Sequence, residues 1–301
     1  MGGREAPPLD DSVFAYLRKR INSMREHEFA VLLYAFGMLN ISYDTLPLDV
    51  RTKLEYRTTR VEGFLTARSI SNALLGLAKC RTRWIDLSQE SRESWMNAMM
   101  GPRGVTEMSA LEVSQTLFAL GLMETSWSTL PLPLRASLTV AADSRRSSMS
   151  PHGFSNAVWG LAVMGCEWRQ LSLGVRQRLI GMVDLPKESA SDANVLKSCS
   201  FALQALSSFG SGIPSEQVER LIFSSRRILE HPAADADIIA DLVVALQSLD
   251  LLNHSSALDL KDILMVKLRA VHSSVTPKKL LALNASLQKI RLDNSKRDGP
   301  P

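Results

Sequence analysis

Short apolar stretches with a small residue at the centre recur along the chain. The small residue is alanine or glycine and lies at positions 35, 76, 119, 160, 202, 245 and 285, spaced 40 to 43 residues apart. Around Gly76 the apolar side chains follow the i, i+3, i+4, i+7 spacing of a helix, and charged residues are nearly absent from these stretches. Each stretch therefore predicts a helix that is buried on most of its surface, which we name helix A of a repeat. The small residue is expected to let a neighbouring backbone approach closely.

A second helix, named helix B, is predicted after each of the first helices A. An aromatic residue, two further residues and a leucine introduce it, and these landmarks are Tyr43 and Leu46, Trp84 and Leu87, Trp127 and Leu130, and Trp168 and Leu171. The apolar side chains of helix B recur every four residues from the landmark leucine and so share one face. Pro47, Pro131 and Pro214 fit the first helical turn, and Ser88 and Ser172 are predicted N-caps.

Two helices in each repeat of about 42 residues predict an all-α fold, an α-solenoid of about seven tandem helix-turn-helix repeats. Residues 1–24 are expected to form an N-terminal segment with a capping helix. The repeat array is predicted over 25–286, more regular over 25–190 and divergent over 191–286, and residues 287–301 are expected to form a basic flexible tail. The landmark aromatics, Trp95 and Trp159 are predicted to pack in the core.

Composition and motifs exclude several classes of protein. Apolar residues make up 45% of the chain, which argues against extensive disorder, and no apolar run reaches the roughly 20 residues that span a bilayer. The three cysteines and five histidines are scattered without the spacing of zinc ligands, and no phosphate-binding loop or nucleophile motif is present. We therefore expect no enzyme, no metal, no cofactor and no membrane span.

The net charge of only +4 means that any charge meant for a partner must be arranged locally. Five residues after the landmark leucine, four successive repeats carry an arginine: Arg51, Arg92, Arg135 and Arg176. A line of arginines on one face suits a polyphosphate chain such as RNA, because the planar guanidinium matches phosphate. Alternatively, these arginines bond carbonyl groups of the adjacent helix A. Arg145 and Arg146, near the end of a helix B, either favour the helix dipole or contact phosphate.

Amide and hydroxyl side chains form a second column, four residues before the small residue of helix A. Its members are Asn72, Gln115, Asn156 and Ser198. Amides repeated on successive helices can contact base edges, as in helical repeats that recognise one base per unit. The alternative is an amide ladder in which stacked helices satisfy each other's hydrogen bonds.

The runs SNALLGLA at 71–78 and SNAVWGLA at 155–162, each followed by Trp-x-x-Leu, resemble the heptatricopeptide repeats and, more distantly, the octotricopeptide repeats of organellar proteins. The resemblance implies an RNA-binding protein of the mitochondrion, with the plastid as the alternative. Some family members are subunits of mitochondrial ribosomes that hold fragmented rRNA. Many relatives end in a nuclease-like RAP domain, and nothing after residue 286 is expected to form one.

We therefore expect a non-catalytic RNA-binding protein whose partner is rRNA or an organellar transcript. Other subunits of a ribonucleoprotein are expected to contact the divergent C-terminal repeats. The alternative is a scaffold or adaptor that binds only proteins, and the modest net charge favours it. In a mixed case the first repeats bind RNA and the last three bind protein.

Overall fold

The computed structural model describes residues 10–60, 65–183, 193–209, 215–231, 234–248, 258–271 and 275. Thirteen α-helices and no β-strand lie within these residues. The helices are α1 (Asp11–Arg20), α2 (Glu26–Met38), α3 (Leu48–Thr58), α4 (Ala67–Lys79), α5 (Gln89–Met100), α6 (Ala110–Leu122), α7 (Leu132–Arg145), α8 (Pro151–Met164), α9 (Leu173–Val183), α10 (Ala193–Ser208), α11 (Ser215–Glu230), α12 (Ala236–Ser248) and α13 (Leu258–Val271). The predicted seventh repeat around Ala285, the tail at 287–301 and Pro214 lie outside the described residues.

The chain divides into two compact units, one ending at Cys166 and one beginning at Glu167. In the N-terminal unit, helices α2, α4, α6 and α8 pack in sequence to form an A layer, and α1, α3, α5 and α7 form a B layer. In the C-terminal unit, α10 packs against α12, while α9, α11 and α13 pack in sequence. Helices alternate between two layers in each unit, which is the arrangement of an α-solenoid. The predicted fold class is confirmed.

The landmark residues form the joint between the layers. Each landmark aromatic is buried and opens a one-turn 3₁₀ helix, and the leucine that follows is buried too. The backbone N–H of Tyr43 donates to the carbonyl of Cys80 at 2.9 Å, and that of Trp84 donates to the carbonyl of Met123 at 2.7 Å. These bonds tie each turn to the end of the next helix A. The prediction of core packing for these aromatics is confirmed.

Two predictions about the start of helix B have different outcomes. Ser88 caps α5 by accepting a hydrogen bond from the backbone of Ser91, and Ser172 accepts one from Val175, so both predicted N-caps are confirmed. Pro47 and Pro131 occupy the N-cap of α3 and α7, one residue before the predicted first turn. Both prolines have extended ψ angles near 140°, because the chain is leaving the 3₁₀ turn at this point.

Neighbouring helices A approach each other through their small residues. A Cβ atom built on Gly76 would lie well inside contact distance of the Leu33 backbone of α2, and one on Gly160 would meet the Leu117 backbone of α6. Only a hydrogen atom fits at these two crossings. The close approach predicted for the central small residue is therefore confirmed at α2–α4 and at α6–α8.

Each helix A of the N-terminal unit ends in the same left-handed turn. The residue five positions after the small residue has a positive φ in all four repeats: Asn40 (57°), Arg81 (62°), Glu124 (55°) and Gly165 (92°). The N–H of this residue and the N–H of the next one bond carbonyls three and five residues back, which is the hydrogen-bond pattern of a Schellman cap. Arg81 and Glu124 hold a backbone conformation that glycine adopts without strain.

We predict that the glycine crossings are intolerant of a methyl group. Replacing Gly76 or Gly160 by alanine should lower the free energy of unfolding by about 1–3 kcal/mol, because the backbones must move apart. Gly181→Ala is the matched control, since a Cβ there meets nothing within 4 Å and alanine favours a helix; it should stabilise by about 0.5–1 kcal/mol. Urea unfolding measures all three, and equal effects would contradict the packing argument.

We also predict that the left-handed cap can be improved. Arg81→Gly and Glu124→Gly should each raise the unfolding free energy by up to about 1 kcal/mol, because glycine relieves the strain at positive φ. Gly165→Ala should lower the free energy of unfolding. Because no neighbour lies within 4 Å of a Cβ atom at this position, the strain of alanine at positive φ is the only direct cost of this substitution. Thermal unfolding of the three variants provides the measurement, and a destabilised Arg81→Gly would refute this account.

Candidate nucleic-acid interface

The four arginines of the predicted ladder share one environment. Arg51, Arg92 and Arg135 lie on α3, α5 and α7 of the B layer, and Arg176 lies on α9 of the C-terminal unit. All four side chains are half-buried, and each Nε atom is buried without a hydrogen-bond partner in the described part of the chain. The side-chain stem is thus held against the protein at an equivalent position in every repeat.

The four arginines of the ladder differ in whether a nearby carboxylate compensates their charge. The Arg51 guanidinium lies 3.9 Å from the Asp44 carboxylate, in a surface cavity of about 450 Å³ that Glu55 and Asp86 also line. The side chains of Arg92, Arg135 and Arg176 make no hydrogen bond or ion pair with any residue that the structure describes. Their positive charge is therefore available to a partner, whereas that of Arg51 is partly neutralised.

Glu55 in the same cavity has a structural role. Its carboxylate accepts a hydrogen bond from the backbone N–H of Ser88 at 3.1 Å, which joins α3 to the start of α5. The Tyr43 hydroxyl donates to it at 3.4 Å. Burial, followed by the negative charge of Glu55, raises the pKa of Tyr43, so the phenol stays protonated across the physiological range. Glu55 thus serves the joint between the first two repeats.

The alternative role for the ladder arginines was to donate hydrogen bonds to backbone carbonyl groups. In the structure other arginines make such bonds. Arg145 donates to the carbonyls of Met108 at 3.1 Å and Thr106 at 3.3 Å, which join the end of α7 to the segment before α6. Arg57 likewise donates to the carbonyl of Met24 at 2.7 Å. Arg146 bonds Asp143, one turn earlier on α7. Most of the hydrogen-bonding capacity of Arg145 is therefore used within the fold, and phosphate contact by Arg145 and Arg146 stays a prediction.

The amide column lies in the A layer. Asn72, Gln115 and Asn156 are half-buried on α4, α6 and α8, and Ser198 is half-buried on α10 of the C-terminal unit. Gln115 accepts a long hydrogen bond of 3.5 Å from Ser71 on the preceding helix A, and Asn156 contacts His152 on its own helix at 3.2 Å. The side chain of Asn72 has no hydrogen bond within the described residues. No amide bonds another amide in this column, so a continuous ladder is not formed.

The prediction that Trp159 is a core residue is wrong. Trp95 is fully buried in α5, as predicted, but Trp159 is half-buried on the outer side of α8. Its ring packs against Phe118 of α6, with 5.3 Å between the centroids. Helix α8 is apolar on most of its surface, and Trp159 lies on the stripe that also carries His152 and Asn156.

The structure does not bring the two predicted columns together. The amides belong to the exposed stripes of helices A, which face away from the B layer, while the arginines lie among helices B. One strand of RNA that follows the arginines would therefore not follow the amides as well.

The described residues offer few other reactive groups. No three His, Cys, Asp or Glu side chains among them come together in a way that could hold a metal ion. Burial raises the pKa of the Cys80 and Cys199 thiols to about 12, so both are protonated at neutral pH. No helix in this part of the chain is long and apolar enough to cross a membrane.

No protein-family model matches the chain, and a search of curated protein sequences finds no match. The likeness to organellar helical repeats therefore rests on the two runs at 71–78 and 155–162 and on the aromatic turns that follow them.

We predict that replacing an arginine that bonds backbone carbonyls destabilises the protein more than replacing an arginine whose head group has no partner. Arg145→Met should lower the unfolding free energy by about 1–2 kcal/mol, because two carbonyls lose charge-assisted hydrogen bonds. Arg92→Met keeps the apolar stem and removes a head group without a partner, so its effect should stay within about 0.5 kcal/mol. Urea denaturation of both variants decides this, and an equally large loss for Arg92→Met would assign the ladder a structural role.

Proposed function

We propose that this protein is a non-catalytic RNA-binding α-solenoid of an organelle, the mitochondrion. The observation that carries the proposal is the once-per-repeat arginine with a fixed stem and, in Arg92, Arg135 and Arg176, no partner in the described part of the chain. A cation held in place before the ligand arrives loses less side-chain entropy on binding than a free one. The arginine fork also suits phosphate better than a point charge does.

The spacing of the ladder fits a nucleic-acid backbone. Neighbouring packed helices lie about 8–10 Å apart, and a stacked strand advances about 3.4 Å per nucleotide, so one arginine meets every second or third phosphate. Such contacts position a strand without reading its sequence. The proposed role is therefore to hold RNA, in keeping with an rRNA-binding subunit of a mitochondrial ribosome, which is the role that the family resemblance implies.

The C-terminal repeats are proposed to contact protein subunits of the same ribonucleoprotein. At the ladder position α11 carries Val218 and α13 carries Asp262. Arg226, one of two adjacent arginines near the end of α11, bonds Glu230 at 3.0 Å and lies 3.6 Å from Asp259. An RNA strand would meet an apolar and an acidic residue here, which suits a protein surface better.

We predict a salt-dependent affinity for RNA that depends on the ladder. Replacing Arg51, Arg92, Arg135 and Arg176 together by glutamine should reduce the slope of log K against log salt by about 2.8, since each phosphate contact on a single strand contributes about 0.7. Filter binding of an unstructured polyuridine strand between about 50 and 200 mM salt measures the slope.

The matched control removes the same charge from exposed positions outside the ladder: Arg20, Arg60, Arg103 and Arg169. This variant should keep the slope of the wild-type protein. An unchanged slope in the ladder variant, or an equal loss in both variants, would contradict phosphate binding by the ladder. If neither the wild-type protein nor any variant binds RNA, the protein-only scaffold replaces the present proposal.

A further inference from the structure

The A layer of the N-terminal unit presents a continuous outer surface that the arginine ladder does not use. Each of the helices α2, α4, α6 and α8 contributes four residues to this surface. Three of them stand eight, four and one positions before the small residue of the helix, and the fourth stands three positions after it. We name this surface the outer A face, and its sixteen members are His27, Val31, Tyr34, Met38, Arg68, Asn72, Leu75, Lys79, Leu111, Gln115, Phe118, Leu122, His152, Asn156, Trp159 and Val163.

Contacts between neighbouring helices join these positions into one surface. The Lys79 ammonium on α4 lies 5.8 Å from the centre of the Tyr34 ring and 3.1 Å from the Met38 sulfur, both on α2. Phe118 on α6 packs against Trp159 on α8. Between these two pairs, Gln115 on α6 accepts a hydrogen bond from Ser71 on α4, a buried residue directly before Asn72. The face is thus continuous over four helices.

The composition of the outer A face is apolar and free of carboxylates. Val31 is 56% exposed, Met38 55% and Leu111 64%, which is unusual for large apolar side chains, whereas Leu75 on the same face is buried. None of the sixteen positions is acidic, and neither Arg68 nor Lys79 forms an ion pair with a described residue. With two permanent cations among many apolar groups, the face lacks the phosphate-binding charge of an RNA surface and favours an acidic peptide.

The amides specify the form of that peptide. Asn72 has both a donor and an acceptor free within the described residues, with Arg68 one turn before it on the same helix. A helical partner offers no free backbone groups to such amides, whereas an extended peptide offers an N–H and a carbonyl at nearly every residue. The half-buried aromatic rings lie one turn after the amides, where they can receive apolar side chains.

The repeat spacing selects among extended peptides. A polyproline II helix has three residues per turn and rises about 3.1 Å per residue. Its side chains therefore return to the same edge about every 9 Å. Packed helices lie about 8–10 Å apart, so one turn of the peptide would meet one repeat. A β-strand repeats its pattern about every 6.7 Å and falls out of register.

We propose that the outer A face binds an extended acidic peptide in polyproline II conformation, one turn per repeat. Apolar side chains on one edge of the peptide pack against Tyr34, Phe118 and Trp159. Carboxylates on another edge pair with Arg68, which lies on the amide side of α4, and the backbone bonds the amide column. This protein-binding site is separate from the arginine ladder and does not depend on the proposed RNA binding.

Titration of the full chain with a fluorescent peptide of repeated Pro-Glu-Leu, about four polyproline II turns long, tests the proposal. Anisotropy should show saturable binding below about 1 mM. Arg68→Glu should weaken it at least fivefold, whereas Arg103→Glu, the same change at an exposed residue outside the face, should leave it unchanged. Asn72→Leu, which keeps shape but removes the amide, should weaken it at least threefold.

Three results would overturn the proposal. The first is no binding at about 1 mM, and the second is equal binding of a Pro-Lys-Leu repeat or of a shuffled peptide without the three-residue period. The third is that polyuridine displaces the peptide and that the Trp159→Ala variant no longer binds polyuridine. This pair of observations would show that the outer A face binds RNA. The glutamine variant of the ladder should bind the peptide normally, so failure of one proposal is distinguishable from failure of the other.

Discussion

The contact between the backbones of neighbouring helices A is the constraint on which the rest of the structure depends. At Gly76 and Gly160 the facing backbone leaves no space for a Cβ atom. Because helices A approach so closely, the apolar side chains on their inward stripes are buried almost completely against each other and against helices B. The landmark turn must then cross from one layer to the other in a fixed number of residues, which keeps each repeat in register with the next.

This register explains why side chains at equivalent positions have equivalent surroundings. Every ladder arginine buries its Nε atom, and every landmark aromatic is buried at the same turn. The two-layer arrangement of the helices also separates the surfaces that are available to partners. Cations held between helices B lie in one layer, and the apolar outer A face lies on the other, so a nucleic acid and a protein could occupy the N-terminal unit at the same time.

Most of the fold could be predicted from the sequence because the signals are local and repeated. The apolar stripe from Leu46 through Val50 to Leu54 is buried as its spacing indicates, and the aromatic turns are buried at all four sites. The cap at Arg81 and Glu124 was missed, although Asn40 and Gly165 stand at the same position of their repeats and both favour positive φ. Comparing that column between repeats would have found it.

The site was harder to predict because burial in a helix that is apolar on most of its surface depends on where its neighbours lie. The sequence held one signal, because Trp159 shares its helical stripe with the polar residues His152 and Asn156, whereas Val158 is fully buried. The carbonyls that receive Arg145 come from the segment before α6, 37 residues away for Met108 and 39 for Thr106. Only tertiary structure shows that this arginine is already engaged.

The glycine crossings also give the N-terminal unit a period of two repeats. Gly37 and Gly76 meet where α2 crosses α4, and Gly121 and Gly160 meet where α6 crosses α8. Helix α6 has Ala119 where α4 and α8 have Gly76 and Gly160, so the crossing of α4 and α6 is of a different kind. Duplication or deletion of a single repeat in this unit would place two unlike helix surfaces against each other, whereas a change of two repeats would preserve the joints of the unit. Tandem growth of such an array, in evolution or in protein engineering, is therefore easiest in pairs.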